Sequence, residues 1–491
     1  MAQKSASVAG CRGGTLGPVM AKPCYGDESP IAALATASGE SALALIRCSG
    51  TGCVELLSKV FSRPAKLRSA GGNTIVHGWI RRGGESIDEV LIFVYRPPRS
   101  YTGEEGADIS CHGGTATARA LMDVLRAAGF RDSLPGEFSF RAFINGKLDL
   151  TRLESVMELV QAKTGEGRRR ALGRLSGRLR EEIAALRGLL LEILAEAELY
   201  LDYDETELSL PGDAGSLPGR EKAEGALERL RNLAGTWGRE RLYQEGALAV
   251  IAGRPNAGKS SLFNALLGED RSIVTEIPGT TRDWIEAAVS IGGIPLRLTD
   301  TAGLRGAGEP EPDRVERIGV QRSRELLEQA DLVLYLIDGS RGFQDDDEAF
   351  LAKPASRNTP LLLLWNKADI APLPDPPPGG RAFLSLSAKT GQGLAGLCEA
   401  VAGALEGGAG GENGGSASRN GAALGNRRQK ELVDRAAAAL EEALNLADRG
   451  EALELIAPSL REALDALGEI TGEVSTAEIL ETIFSKFCVG K

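Results

Sequence analysis

The 491-residue chain reads as a multidomain α/β and α+β protein: a small N-terminal α+β domain, a split helical domain, and a doubly wound α/β domain inserted between the two helical halves. Three observations predict this. Short apolar runs separated by turn signals fill 31–145, helical spacing takes over from 148, and strand-like and helix-like pieces alternate from 247. A Gly/Ser/Asn-rich stretch at 407–425 then precedes strong helix formers over 427–487. Length agrees, because roughly 150 residues per domain gives about three domains.

Taken in order, 1–29 is rich in Gly, Ala and Ser and aperiodic, which predicts a flexible tail. Residues 30–147 carry strand-like runs at 42–46, 74–79 and 90–95 and form the α+β domain. In 148–246, Ile183, Leu186, Leu189, Leu190, Ile193 and Leu194 recur at spacings of three and four, on one face of a helix. The α/β domain, 247–406, has strand candidates over 248–252, 294–298, 332–337, 361–365 and 383–386, and the alternation predicts a parallel sheet. A flexible insertion at 407–425 leads into the second helical block, 426–491, expected to pack on the first.

Composition narrows the function. A net charge of −11 argues against a wholly basic nucleic-acid binder while permitting a local basic patch. No apolar run reaches the roughly 18 residues of a membrane span. Seven cysteines, odd in number and without metal-ligand spacing, favour a reducing compartment over a structural zinc site. His77 and His112 are the only histidines, which counts against a His-based triad. No apolar leader precedes residue 30, so the expected location is cytoplasmic; the absence of acids before Asp27 leaves an organellar transit peptide as the alternative.

The chemistry concentrates in the third segment. Gly253-Arg254-Pro255-Asn256-Ala257-Gly258-Lys259-Ser260 fits G-x-x-x-x-G-K-S between a strand and a helix. Such glycines let backbone N–H groups of the loop, here Asn256 to Ser261, wrap phosphates at a helix N-terminus. Lys259 reaches the β- and γ-phosphates, and the Ser260 hydroxyl suits Mg²⁺. Asp300-Thr301-Ala302-Gly303 ends a strand and places a carboxylate for the magnesium shell and a glycine N–H near the γ-phosphate. In Asn366-Lys367-Ala368-Asp369 the last carboxylate accepts from guanine N1–H and the 2-amino group, donors adenine lacks, so the element selects guanine. Ser387-Ala388-Lys389 closes over the base. Four motifs in this order predict a GTP site. Leu304 stands where Ras-like GTPases carry a water-orienting glutamine, so either hydrolysis is poor or another group holds the water.

Further residues resemble a known family. Gly279-Thr280-Thr281-Arg282-Asp283 and Val315-Glu316-Arg317-Ile318-Gly319 are similar to segments of the bacterial tRNA-modifying MnmE (TrmE) GTPases. The resemblance continues through Tyr101-Thr102-Gly103-Glu104, His112-Gly113-Gly114, Pro135-Gly136-Glu137-Phe138, the run from Arg141 to Leu150, and Phe487-Cys488-Val489-Gly490-Lys491, covering roughly 30–491. It implies a Ras-like GTPase domain inserted in the helical domain and an N-terminal domain that forms a homodimer and binds a tetrahydrofolate derivative. It also implies a heterotetramer with an FAD enzyme of the MnmG type, which installs an aminomethyl or carboxymethylaminomethyl group on wobble uridine of certain tRNAs.

By the same resemblance Arg47, Lys147 and Lys491 contact the folate, with Asp108 where the family usually has glutamate. Where the family has Gly-Arg-Gly-Gly, this chain has Gly39-Glu40-Ser41-Ala42. Thr275, Glu276, Ile277, Pro278, Gly279, Thr280 and Thr281 form the nucleotide's second loop. Asn256, Thr275, Ile277 and Thr280 hold K⁺ in place of an arginine finger, while Thr281 and Ser260 hold Mg²⁺. Glu316 orients the attacking water and joins Lys259 and Asp300 as the catalytic set.

Three features keep two readings. Cys488 is either a packing cysteine or a reactive thiol near the folate, and His112 either a turn residue or an acid–base group. Arg170, Arg174 and Arg178 recur every four residues, either as a tRNA phosphate stripe or as a solvated face paired with Glu181 and Glu182. At the level of the whole chain, a signalling or ribosome-assembly GTPase with an N-terminal binding module is the alternative to a tRNA-modification enzyme.

Overall fold

Strict alternation along Thr74–Arg82 buries Val76, Gly78 and Ile80 and exposes the residues between them, the pattern of a sheet with one wet face. The computed structural model describes residues 25, 27–37, 39–202, 217–268, 286–300, 325–352, 359–409, 421–474 and 476–490. The chain divides into two units, 1–147 with 476–491, and 148–475.

The N-terminal unit runs β1 (Ile31–Leu34), β2 (Ser41–Ser49), α1 (Cys53–Val60), α2 (Pro64–Arg68), β3 (Thr74–Arg82), β4 (Glu85–Tyr95), β5 (Gly106–Gly113), α3 (Thr115–Ala128), β6 (Arg131–Asp132) and α4 (Glu137–Ile144). Its sheet has the order β3-β4-β5-β2-β1-β6, antiparallel except where β6 lies parallel to β1. One face buries Ile46, Ile80, Ile92 and Ile109 with Leu57, Leu121 and Leu125 of α1 and α3. The end of the predicted tail is held here: Tyr25 Oη donates to Pro135 O at 2.7 Å, and Arg141 donates to the carbonyls of Asp27 and Ser29. Tyr25 and residues 27–29, which the sequence pattern assigns to a flexible tail, are thus tied to this unit, and 1–24 lie outside the described residues.

The second unit opens with α5 (Leu150–Gln161), α6 (Gly165–Leu175), α7 (Arg178–Asp202) and α8 (Arg220–Gln244). Asp149 and Thr164 cap α5 and α6 by accepting from Arg152 N and Gly167 N. The α/β part follows as β7 (Ala247–Gly253), α9 (Lys259–Gly268), β8 (Glu286–Ile291), β9 (Ile294–Asp300), β10 (Leu332–Asp338), α10 (Asp345–Leu351), β11 (Leu361–Asn366), β12 (Leu384–Ser385) and α11 (Leu394–Ala409). Helices α12 (Arg427–Asp448) and α13 (Leu453–Thr471) complete the bundle with α7 and α8, burying Ile183, Leu190, Leu230, Val433, Leu440 and Leu460. Helix α14 (Ala477–Phe484) belongs to the N-terminal unit, so residues 476–490 lie outside the helical block to which the sequence pattern assigns them.

Apolar side chains cover both faces of the β12-β11-β10-β7-β9-β8 sheet, as double winding requires. The sheet is not wholly parallel, because β8 pairs antiparallel with β9. The predicted insertion at 407–425 is shorter at both ends: α11 continues to Ala409, and Leu424 is buried with Gly425 N donating to Gln429 Oε1.

Neither reading of the arginine run survives for Arg170 and Arg174. Both side chains are mostly buried and grip Glu240 of α8, with Arg174 also on Glu158 and Arg170 on Glu166. Arg170 lies over the Tyr243 ring, 3.9 Å from its centroid, and Tyr243 Oη reaches Glu406 of α11. This ion-pair chain ties the helix entering the α/β part to the helix leaving it.

Candidate functional site

In an open α/β sheet, ligands bind beyond the carboxyl ends of the strands, where the chain order reverses. Strand β7 sits at that switch, between β10 and β9. The predicted motifs follow β7, β11 and β12, and Asp300 closes β9 in register with Ile251 of β7.

The phosphate loop depends on backbone that other residues resist. Gly253 has φ +140°, and a Cβ there would lie 2.4 Å from Leu336 O. Gly258 has φ +97°, and a Cβ there would lie 2.3 Å from Asn366 Nδ2. Asn256, exposed at the tip, adopts φ +65°, a conformation Asn accepts more readily than most residues. Lys259 is buried at the start of α9, its Nζ donating to Gly253 O at 3.0 Å and Arg254 O at 2.9 Å. Its ammonium is thus held at the mouth of the loop. Ala257 is buried, whereas Ser260 and Ser261 are exposed on the first turn of the helix. The N-terminus of α9 adds its dipole to this anion site.

Asn366 joins three of the motifs. Its buried Nδ2 donates to Ala257 O at 2.8 Å, and its Oδ1 accepts from Ala388 N at 3.0 Å. Ala368 N donates to Leu386 O at 3.1 Å, so the guanine-reading loop and the Ser387-Ala388-Lys389 loop are stitched side by side. Ser387 is fully buried and accepts from Thr390 N at 3.2 Å, while Asp369 and Lys389 are exposed at the rim. Lys367 adopts φ +65°, and its Nζ donates to Asp338 Oδ2 at 2.7 Å. Burial alone would raise the Asp338 pKa, but hydrogen bonds from Lys367 and Ser340 hold the carboxyl below its usual range.

Two residues the sequence reading passed over brace this site. Arg254 donates to Asp347 Oδ1 at 3.1 Å and to Gly342 O at 2.9 Å, fastening the phosphate loop to the start of α10. Asp338 anchors Lys367, and its sequence signal was an acid at the carboxyl end of an apolar strand. Thr275, Glu276, Ile277, Pro278, Gly279, Thr280, Thr281, Thr301, Ala302, Gly303 and Glu316 lie outside the described residues, as does Lys491. Among the described residues no cluster of His, Cys, Asp and Glu suits a metal, and no helix is long and apolar enough to cross a membrane.

The N-terminal unit contains a separate cavity of about 300 Å³. Arg47 and Asp108 line it together with Tyr95, Arg99, Tyr101 and Phe138. Arg47 Nε donates to Asp108 Oδ1 at 3.1 Å and Nη1 to Gly490 O at 3.3 Å, while its guanidinium lies 5.6 Å from the Tyr101 ring centroid. Tyr95 Oη donates to Asp108 Oδ2 at 3.3 Å; burial and that carboxylate raise the Tyr95 pKa. Lys147 is exposed, does not line the cavity, and donates to Pro98 O at 2.8 Å. His112 lies in β5 rather than in a turn, and its Nδ1 meets Asp88 Oδ1 at 2.7 Å, which raises its pKa. Cys488 is exposed, and its carbonyl accepts from Gly136 N at 3.3 Å.

Comparison with known proteins covers nearly the whole chain. Residues 150–488 match the MnmE helical domain, and residues 30–147 match the N-terminus of the GTP-binding protein TrmE. The chain is 40% identical to the tRNA modification GTPase MnmE of Treponema denticola over 95% of its length and 99% of the relative's. It is also 40% identical to the tRNA modification GTPase MnmE of Symbiobacterium thermophilum, over 94% of this chain and 100% of that one. A solved G domain of the Thermotoga maritima FeoB iron transporter is 26% identical, covers 32% of this chain and 97% of its own, and has a TM-score of 0.24. With its N-terminal and helical regions both matched and full-length relatives at this identity, the chain belongs to the MnmE family of tRNA modification GTPases.

Proposed function

We propose that the chain binds GTP at the ends of β7, β9, β11 and β12, hydrolyses it, and uses the cycle in modifying the wobble uridine of tRNA. The observation that carries this is the Asn366 side chain, which fastens the phosphate loop at Ala257 to both base-side loops. Backbone N–H groups around Asn256–Ser261 and the Lys259 ammonium take the β- and γ-phosphates. Asp369 accepts from guanine N1–H and the 2-amino group, and Ser387, Ala388 and Lys389 close the base side.

In this reading the hydroxyls of Ser260 and Thr281 and the carboxylate of Asp300, all hard oxygen donors, would hold Mg²⁺. A magnesium ion held by these residues would supply positive charge against the β- and γ-phosphates. Asn256 at the loop tip offers a side-chain carbonyl for K⁺, with Thr275, Ile277 and Thr280 completing the site. A potassium ion held there would supply the positive charge that an arginine finger otherwise provides. With Leu304 in the glutamine position, Glu316 holds the attacking water.

The cavity at Arg47 and Asp108 fits a tetrahydrofolate derivative in chemistry: aromatic walls for a flat heterocycle, a carboxylate for its N–H donors, and a guanidinium for an anionic tail. At about 300 Å³ it sits at the small end of ligand pockets. A homodimer built on the N-terminal unit, an MnmG-type FAD partner and a cytoplasmic location complete the reading. GTP turnover at matched ionic strength tests it. Hydrolysis is expected to be much faster in potassium than in sodium, Asn256→Ala to erase most of that difference, and Glu316→Ala to slow both without greatly changing GTP affinity. Arginine fingers contribute about 10³–10⁵-fold, which sets the scale. Equal turnover of the unaltered protein in the two salts removes the cation from the mechanism.

A further inference from the structure

Residues 30–147 hold fourteen basic and eleven acidic residues, whereas the whole chain carries −11. Most of those acids are already engaged inside the N-terminal unit: Glu55, Glu105, Asp108, Asp123, Asp132 and Glu137 each meet an arginine. The local positive surplus therefore falls on cations that have no such partner. Four of them, Arg63, Lys66, Arg81 and Arg82, are exposed on β3 and on the α1–α2 segment that runs along its edge, and form no ion pair among the described residues.

Backbone pairing builds that edge. Phe61 bridges Ile80, Ser62 N donates to Trp79 O at 2.8 Å, and Trp79 N donates to Ser62 Oγ at 2.9 Å. The chain leaving α1 is thereby held along the outer edge of β3, where the antiparallel pairing sets Arg63 level with Gly78, three and four residues along the strand from Arg81 and Arg82. Lys66 follows on α2. Trp79, 40% exposed, shares the open strand face with Arg81. Two acids border these cations: Glu85 opposite Arg82, and Glu89 opposite Trp79, the latter paired with His77.

We propose that this edge is a docking surface for the sugar–phosphate backbone of tRNA, an inference that rests on the tRNA-modification reading. Unpaired Lys and Arg displace condensed counterions from phosphates, and an exposed indole beside them offers a stacking face to an unpaired base. Such a surface adds affinity with little sequence preference, which leaves base choice to other parts of the assembly.

The test uses the full chain, an unmodified tRNA transcript with uridine at the wobble position, and a salt titration of affinity. The variant Arg63→Gln/Lys66→Gln/Arg81→Gln/Arg82→Gln should bind roughly tenfold or more weakly at 0.1 M salt. Its log–log salt slope should shrink by about two to four, at about 0.9 for each phosphate that is no longer neutralised. GTP turnover and the thermal transition should stay at the parental values, and Arg119→Gln, a cation on α3, should bind as the parent does. Parental affinity and slope in the quadruple variant would overturn the docking surface while leaving the tRNA reading standing. No tRNA binding by the unaltered chain at low salt would overturn both. Binding to phosphatidylglycerol vesicles that the quadruple change abolishes, with tRNA affinity unchanged, would reassign the edge to a membrane surface and overturn the proposal.

Discussion

Replacing Asn366 by alanine removes two hydrogen bonds at once and strands both partners. The side chain is 2% exposed, so Ala257 O and Ala388 N lose their partner where water has little access. A buried polar group left unpaired costs about 1–3 kcal/mol, which makes the range for two about 2–6 kcal/mol. The free loops can relax away from most of this cost, which GTP binding must then re-impose, so with partial rehydration of one group the expected loss in GTP affinity is about 2–4 kcal/mol, or roughly 30–1,000-fold. A fluorescent GTP analogue titrated against parent and variant reads this directly, with thermal unfolding to separate loop loosening from global collapse. The contrast is Asp369→Asn, which should lose GTP but gain xanthosine triphosphate, because the amide donates to the 2-oxo group that a carboxylate repels. Asn366→Ala should lose both nucleotides. Affinity within threefold of the parent would refute the idea that one side chain couples the phosphate and base loops.

Two other expectations follow from the same structure. Deleting Gly490 and Lys491 removes the carbonyl that accepts from Arg47, so folate affinity by calorimetry should fall while GTP turnover holds; equal folate affinity would contradict it. Burial pushes the Glu158 carboxyl up to about 7 despite Arg174 beside it. Its contribution to stability is therefore complete below the ordinary glutamate range and fades as pH rises through about 7. The melting temperature should fall between about pH 5 and pH 8, and Glu158→Gln should flatten that slope; parallel profiles would reject the assignment.

The nucleotide half of this site was legible because its strands announce themselves. Strands β7 and β10 are buried on both faces and read as unbroken apolar runs, and each motif sits at a fixed place behind its strand. Strand β5 was not legible: Ala107, Ile109 and Cys111 face the core, but small and polar neighbours such as Asp108 and His112 leave little hydrophobic contrast. Strand β8 is equally short of large apolar residues, so the antiparallel edge of the sheet went unseen.

The cavity at Arg47 draws Tyr95, Tyr101 and Phe138 from segments whose sequence spacing carries no period, and only the fold unites them. The arginine run shows the opposite limit. Its four-residue spacing was plain, yet whether it faced solvent, tRNA or a partner depended on Glu240, 70 residues beyond Arg170. Charge periodicity reports a helix face; it does not report what that face meets.

The claim that GTP hydrolysis by this chain serves tRNA modification is tested most directly by mass analysis of wobble nucleosides. Cells lacking the protein are compared with cells restored by the unaltered chain and by Lys259→Ala, which lacks the ammonium at the mouth of the phosphate loop and is checked for parental abundance and thermal transition. The 5-substituted wobble uridines should be lost in the null cells, return with the unaltered chain, and stay absent with Lys259→Ala. Full modification in the null cells, or full recovery with Lys259→Ala, would contradict it.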